Sequence, residues 1–208
     1  MDGTLTDSEP LWHEAEHALI ARHGRVVDPD IQKTFTGVDS PTMIARLRAA
    51  YGVAASEAQL LAELMTDVRR LLAAVPARAG AADLLHWLAE QDVPRALVSN
   101  SARELIELSL SAQPWGYLLE HRLSAEDVTH AKPAPDLYLL AAERLGADPA
   151  ACLVLEDSLT GVRAAAAADM TVYAVPSDPE PDLEAFRALT PYVFGSLVEV
   201  GRQLENLG

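Results

Sequence analysis

The hydrophobic period changes once along this chain, at Pro76, and that change bounds the folds open to it. Before Pro76 the apolar residues recur every three or four positions, the spacing of a helix face. After it, short apolar runs alternate with helical stretches. In the first segment Ser8 followed by Glu9-Pro10 marks a helix start, with Leu11, Ala15, Ala18 and Leu19 along one face and Gly24 beyond the end. Ser40-Pro41 opens another helix, carrying Ile44, Leu47 and Tyr51 and followed by Gly52. Ser56-Glu57-Ala58-Gln59 reads as a capping box before an amphipathic run to Leu72. A shorter helix near 29–34 completes a helical bundle.

Past Pro76 the apolar runs 95–98, 152–155, 171–175 and 192–194 read as strands, and 121–123 is a further candidate. Helices are expected between them, over 81–90, 102–112, 135–145 and 159–168. Such alternation predicts an α/β fold: a doubly wound parallel sheet, Rossmann-like, with helices on both faces. The helical segment then reads as an insertion near the start of that domain. The expected division is a core of 1–8 and 76–208 and an all-helical unit of 9–75. Half of the 208 residues are hydrophobic, enough for a sizeable core.

Charge narrows the range of partners. Acidic residues outnumber basic ones 31 to 16, a formal net of −15, and no dense Lys/Arg cluster occurs, so no nucleic-acid partner is expected. No apolar run approaches the roughly 18 residues of a membrane span. Asp2 and Asp7 stand where a secretory signal would have basic and then apolar residues. The single cysteine, Cys152, excludes an internal disulfide framework and a multi-cysteine zinc site, and a cytoplasmic location is expected.

In open parallel sheets, ligands bind beyond the carboxyl ends of the strands. Ser99-Asn100-Ser101 follows one strand and Glu156-Asp157-Ser158 follows another. Both place polar groups at a helix start, where free N–H groups favour an anion. Taken alone, Ser99 reads first as a helix cap, and Glu156-Asp157 has a cap reading too. Two adjacent carboxylates would nevertheless repel one another unless a cation lay between them, and a hard, oxygen-liganded ion such as Mg²⁺ suits that place. Only two lysines occur, Lys33 and Lys132. Lys132 is flanked by Pro133 and Pro135, and this segment alone fits a surface turn and a phosphate contact equally. Met1-Asp2-Gly3-Thr4-Leu5 reads as a tight Asp-Gly turn.

Taken together in this order, Asp2-Gly3-Thr4-Leu5, Ser99, Lys132 and Glu156-Asp157 resemble the four motifs of the haloacid dehalogenase superfamily of phosphotransferases. The segment 9–75 resembles the small helical cap of its sugar-phosphate phosphatase and β-phosphoglucomutase subgroup. The resemblance implies a Mg²⁺-dependent phosphatase of small phosphorylated metabolites, working through an aspartyl phosphate. Asp2 would be general acid and base; Ser99, Asn100, Lys132 and Gly37 would hold phosphate; Asp2, Glu156 and Asp157 would hold the metal. A monomer or weak dimer is implied. Glu9-Pro10-Leu11-Trp12 is most similar to sugar-phosphate phosphatases. Where the mutase has Lys-Gly and then Arg, this chain has Thr36-Gly37 and Ser40. A β-phosphoglucomutase-like phosphotransferase and a non-catalytic phosphate-binding protein are the alternatives. Met1 falls on the middle position of the family's Asp-x-Asp, so the nucleophile's place precedes Met1. The expectation is that the chain as written is inactive, and that the upstream frame encodes an Asp preceded by an apolar strand.

Overall fold

The computed structural model describes residues 1–35, 40–178 and 180–206. The chain divides into two compact units, one formed by Met1–Ser8 with Val75–Gly208 and the other by Glu9–Ala74.

The helical unit contains α1 (Glu9–Arg22), the single turn α2 (Pro29–Gln32), α3 (Ser40–Tyr51) and α4 (Glu57–Leu72). Helix α4 organises it. Its Leu60, Leu64, Val68 and Leu72 recur every fourth residue and are all buried. They line one face, as the helical period requires. That stripe packs against Ala15, Leu19 and Ile20 of α1 and Met43, Ile44 and Leu47 of α3. Ser56 caps α4 by accepting from the Gln59 N–H at 3.2 Å. The expected reciprocal half of the capping box is replaced: the Gln59 carboxamide turns down the helix and donates to Glu63.

The second unit alternates α5 (Ala81–Glu90), β1 (Ala96–Val98), α6 (Arg103–Ser111), β2 (His121–Leu123), α7 (Asp136–Leu145), β3 (Leu153–Glu156), α8 (Leu159–Ala167), β4 (Thr171–Ala174), α9 (Leu183–Arg187), β5 (Tyr192–Val193) and α10 (Leu197–Glu205). All strand pairs are parallel. The period-2 alternation of β4 shows how both faces are covered. Tyr173 joins a cluster with Leu84, Leu85, Ile106 and Leu197, from α5, α6 and α10. Val172 and Ala174 join Tyr138, Val162, Ala165 and Phe186, from α7, α8 and α9. The fold is therefore the expected α/β sandwich of helices on a parallel sheet.

Backbone pairing joins the strands in two groups, β1 with β2 and β3-β4-β5, rather than one continuous ladder. Residues 1–8 enter as a turn, with isolated bridges from Asp2 to Thr6 and from Thr6 to Ala77. Among the described residues no helix is long and apolar enough to cross a membrane.

Candidate active site

The Asp-Gly-Thr segment is a tight turn docked on the end of β3. The Met1 carbonyl accepts from the N–H groups of Thr4, Leu5 and Thr6 at 2.8–3.1 Å, and the Gly3 N–H donates to Thr6 O at 2.9 Å. Gly3 has φ +70°, a conformation that costs other residues roughly 1–2 kcal/mol. Its missing side chain matters as much. A Cβ here would lie 2.1 Å from Asp157 Oδ2 and 2.8 Å from Ser177 Oγ. Beside it, the Thr4 hydroxyl donates to Asp157 Oδ1 at 2.6 Å, and the Ser177 hydroxyl donates to Oδ2 at 2.8 Å.

The loop after β1 makes the second wall. Ser99 is buried, and its hydroxyl accepts from the Ser101 N–H at 3.1 Å. The Ser101 hydroxyl donates to Asp2 Oδ2 at 2.8 Å. The Asn100 side chain grips the Lys132 main chain from both sides, donating to its carbonyl and accepting from its N–H, each at 3.0 Å.

Lys132 is no surface lysine. Its side chain is 7% exposed. The ammonium reaches Val98 O at 3.0 Å, Tyr138 Oη at 3.0 Å and Glu156 Oε1 at 2.5 Å. Three protons thus meet three acceptors. Tyr138 accepts from Lys132 and donates to Glu156 Oε1 at 2.7 Å. The other Glu156 oxygen accepts from the Asp157 and Ser158 N–H groups and the Ser158 hydroxyl, at 3.1–3.3 Å. Gly161, in the first turn of α8, leaves space for this carboxylate; a Cβ there would overlap it at 1.9 Å.

The adjacent carboxylates therefore do not share one floor, as the sequence suggested. Successive residues at a strand end point to opposite sides. Glu156 is sent to Lys132 and Tyr138, Asp157 to Thr4 and Ser177, and the repulsion expected to need a cation is met on one side by the lysine. Among the described residues no three His, Cys, Asp or Glu side chains come together as a metal-ligating cluster. Electrostatics differ accordingly. Burial works against ionised Glu156, but the Lys132 ammonium outweighs it and the carboxyl falls to about 2. Burial raises Asp157, and the Glu156 charge adds to the rise; the Thr4 and Ser177 hydroxyls pull the other way.

Asp157 is the side chain that suits a hard cation. It is a buried carboxylate whose two oxygens each accept one hydroxyl, in a cradle that a Cβ on Gly3 would fill. All-oxygen donors match Mg²⁺. The structure thus gathers Asp2, Ser99, Asn100, Lys132, Glu156 and Asp157 at the carboxyl ends of β1 and β3, whereas Gly37 lies outside the described residues. Sequence reasoning passed over Tyr138 and Ser177, and took Ser101 and Ser158 only as polar groups at helix starts, with no partner assigned. Ser177 was within reach of the strand-end rule, since it lies just past β4; the contacts of Tyr138 had no local signal.

The pattern of the haloacid dehalogenase-like hydrolases matches residues 1–169. Validoxylamine A 7'-phosphate phosphatase of Streptomyces hygroscopicus subsp. limoneus is 33% identical over 170 residues, covering 79% of this chain and 78% of that protein. Fructose-1-phosphate phosphatase YqaB of Escherichia coli is 32% identical over 173 residues, covering 82% and 90%. The bifunctional riboflavin kinase/FMN phosphatase of Arabidopsis thaliana is 30% identical over 86% of this chain, which spans 48% of that protein's length. Among solved structures, a HAD-family hydrolase of Deinococcus radiodurans R1 with bound phosphate and sodium is 33% identical, with a TM-score of 0.80 over 96% of this chain and 90% of that one. A β-phosphoglucomutase-type protein of Thermotoga maritima, at 23% identity, shares the fold with a TM-score of 0.89 over 100% and 97% of the two chains. With its motif turn, lysine and acidic pair at one sheet edge, this chain belongs to the haloacid dehalogenase-like hydrolases.

Proposed function

We propose that this protein is a Mg²⁺-dependent phosphatase of small phosphate monoesters, sugar phosphates foremost, working through an aspartyl phosphate. The observation that carries the proposal is the docking of the Asp2-Gly3-Thr4 turn onto Asp157, beside the buried Lys132–Glu156 pair. Relatives whose names end in phosphate phosphatase support hydrolysis over transfer between sugar positions.

In this reading the Asp2 carboxylate gives a proton to the leaving oxygen and later takes one from water. In the family's Asp-x-Asp pattern the nucleophilic carboxylate stands two positions before the acid–base Asp, which here is Asp2. Ser99 and Asn100 line the start of α6, where the phosphoryl oxygens would sit; Asn100 fixes the Lys132 main chain, and the Lys132 ammonium, its protons shared among Val98, Tyr138 and Glu156, adds positive charge beside them. The Asp157 carboxylate and the Asp2 main-chain carbonyl would hold Mg²⁺, with Glu156 kept by Lys132. Bound there, the ion would neutralise charge between nucleophile and phosphate. The helical unit 9–75 acts as a cap that selects the substrate, a small phosphorylated metabolite.

The test is a screen of sugar and other small phosphate esters on the full-length protein, with and without Mg²⁺. Mg²⁺-dependent release of phosphate from sugar phosphates is expected. Failure to release phosphate from any ester, with or without Mg²⁺, overturns the reading.

A further inference from the structure

Among the described residues, the side chain that holds Asp2 is that of Ser101, whose Oγ donates to Asp2 Oδ2 at 2.8 Å across 99 residues of sequence. That serine is itself fixed at both ends of its backbone unit. Its N–H donates to Ser99 Oγ at 3.1 Å, and its carbonyl accepts from Ser124 Oγ at 2.9 Å. Ser124 is fully buried and sits in a reciprocal box: its N–H donates to Asp127 Oδ2 at 2.8 Å, and its hydroxyl accepts from the Glu126 N–H. Asp127 is clamped by both of its oxygens to Arg103 Nη2, at 2.5 and 2.6 Å. Arg103 begins α6, and its N–H donates to Glu126 Oε1. The loops after β1 and β2 are thus laced together by polar contacts, and they leave Ser101 a single free torsion, its χ1, which directs the hydroxyl at Asp2.

We infer that Ser101 is a positioning residue for the acid–base step: it aims the Asp2 carboxylate, and the Arg103–Asp127–Ser124 chain holds it there. The inference rests on the proposed role of Asp2. A carboxylate that must give a proton to a departing oxygen and later take one from water needs a fixed direction, because proton transfer depends on reach and alignment. One oxygen, Oδ2, is committed to Ser101, so the other is the one that faces the reacting oxygen. The donor is neutral, so it orients the carboxylate without adding a competing cation beside the phosphate.

The role has a signature that packing alone would not give. An alkyl phosphate expels a poor leaving group that needs a proton; p-nitrophenyl phosphate expels a stable anion that does not. Loss of aim therefore lowers kcat/KM for a sugar or alkyl phosphate more than for the p-nitrophenyl ester. Ser101→Ala is expected to lower kcat/KM for the alkyl ester about 10-fold, a fraction of the roughly 10²–10⁴ that acid–base catalysis contributes. The p-nitrophenyl ester should change by less than about 3-fold. Ser101→Thr, which keeps the hydroxyl, should restore most of the loss, and Ser124→Ala should show the same pattern more weakly. Asp2→Asn is the control for the underlying reading, with the same leaving-group pattern at larger amplitude. If Asp2→Asn shows no such pattern, the assignment of Asp2 fails and the inference falls with it. If Asp2→Asn shows it while Ser101→Ala depresses both esters alike, changes only KM or changes nothing, the inference alone is overturned.

Discussion

Lys132 and Glu156 form an ion pair at 2.5 Å in which each side chain is only 7% exposed. Every proton of the ammonium has an acceptor, and Tyr138 closes the ring by bonding both partners. Removing one member of such a pair leaves an uncompensated buried charge, which costs about 3–5 kcal/mol. Glu156→Gln and Lys132→Met should each lower unfolding free energy by that order, whereas Tyr138→Phe should lose nearer about 2 kcal/mol, for the two hydrogen bonds its hydroxyl makes. Urea unfolding at neutral pH measures all three. A loss below about 1 kcal/mol for Glu156→Gln would show the pair to be dispensable.

Gly3 meets two demands at once: φ of +70° and a bare Cα facing Asp157 Oδ2. Gly3→Ala should cost about 1–2 kcal/mol from the backbone alone. It should also push the turn away from Asp157, so that Mg²⁺ affinity falls with stability. Calorimetric titration with Mg²⁺ checks this, and an unchanged affinity would mean that the turn does not build the metal site.

Asp157→Asn keeps the shape and removes the charge. Of its two hydroxyl partners, on Thr4 and Ser177, one can still donate to the remaining carbonyl oxygen and the other can turn to accept from the new amide NH₂. Because burial and the Glu156 charge raise the carboxyl's pKa, the ionised form is strained and losing it should not unfold the protein. The expected outcome is a near-normal melting temperature with Mg²⁺ binding and metal-dependent phosphate release abolished. EDTA should have the same effect on activity, and Mg²⁺ should reverse it. Equal Mg²⁺ affinity in variant and parent would remove Asp157 from the metal site.

The elements were legible because they rest on local period. Leu60, Leu64, Val68 and Leu72 announce α4, and Val154, Val172 and Tyr173 lie in runs too short and too apolar to be surface helices. The site was half legible. Asp2, Ser99, Lys132 and Asp157 stand at strand ends or turns, where sequence marks them. What they touch depends on pairings across tens of residues, and no local rule reports those. The ionic partner of Glu156 had no local signal, because Lys132 lies 24 positions away. The Gln59 side chain illustrates the same limit at short range: its spacing predicts a capping box, yet a donor-hungry Glu63 one turn on takes the carboxamide.

Glu16 is the buried carboxylate of the helical unit. It is 7% exposed on α1, beside the buried Leu19 and Ile20, with the Gln32 carboxamide at 3.5 Å as its hydrogen-bond partner. Burial raises its pKa; His13, Gln32 and His17 oppose the rise and do not cancel it. A carboxyl whose pKa is higher folded than unfolded binds its proton more tightly in the folded state. Its contribution to stability is therefore fully present below the unfolded value near 4.5, and is lost as pH rises through the folded value. At neutral pH the ionised side chain works against the fold. Glu16→Gln removes the ionisation and keeps an amide able to bond Gln32, so the helical unit should be more stable than the parent at pH 7 and similar to it near pH 4. Thermal melts followed by circular dichroism at the two pH values make the comparison. A variant less stable than the parent at pH 7 would mean that the neighbouring His13 and His17 hold Glu16 as a favourable ion, and that the burial cost is already offset.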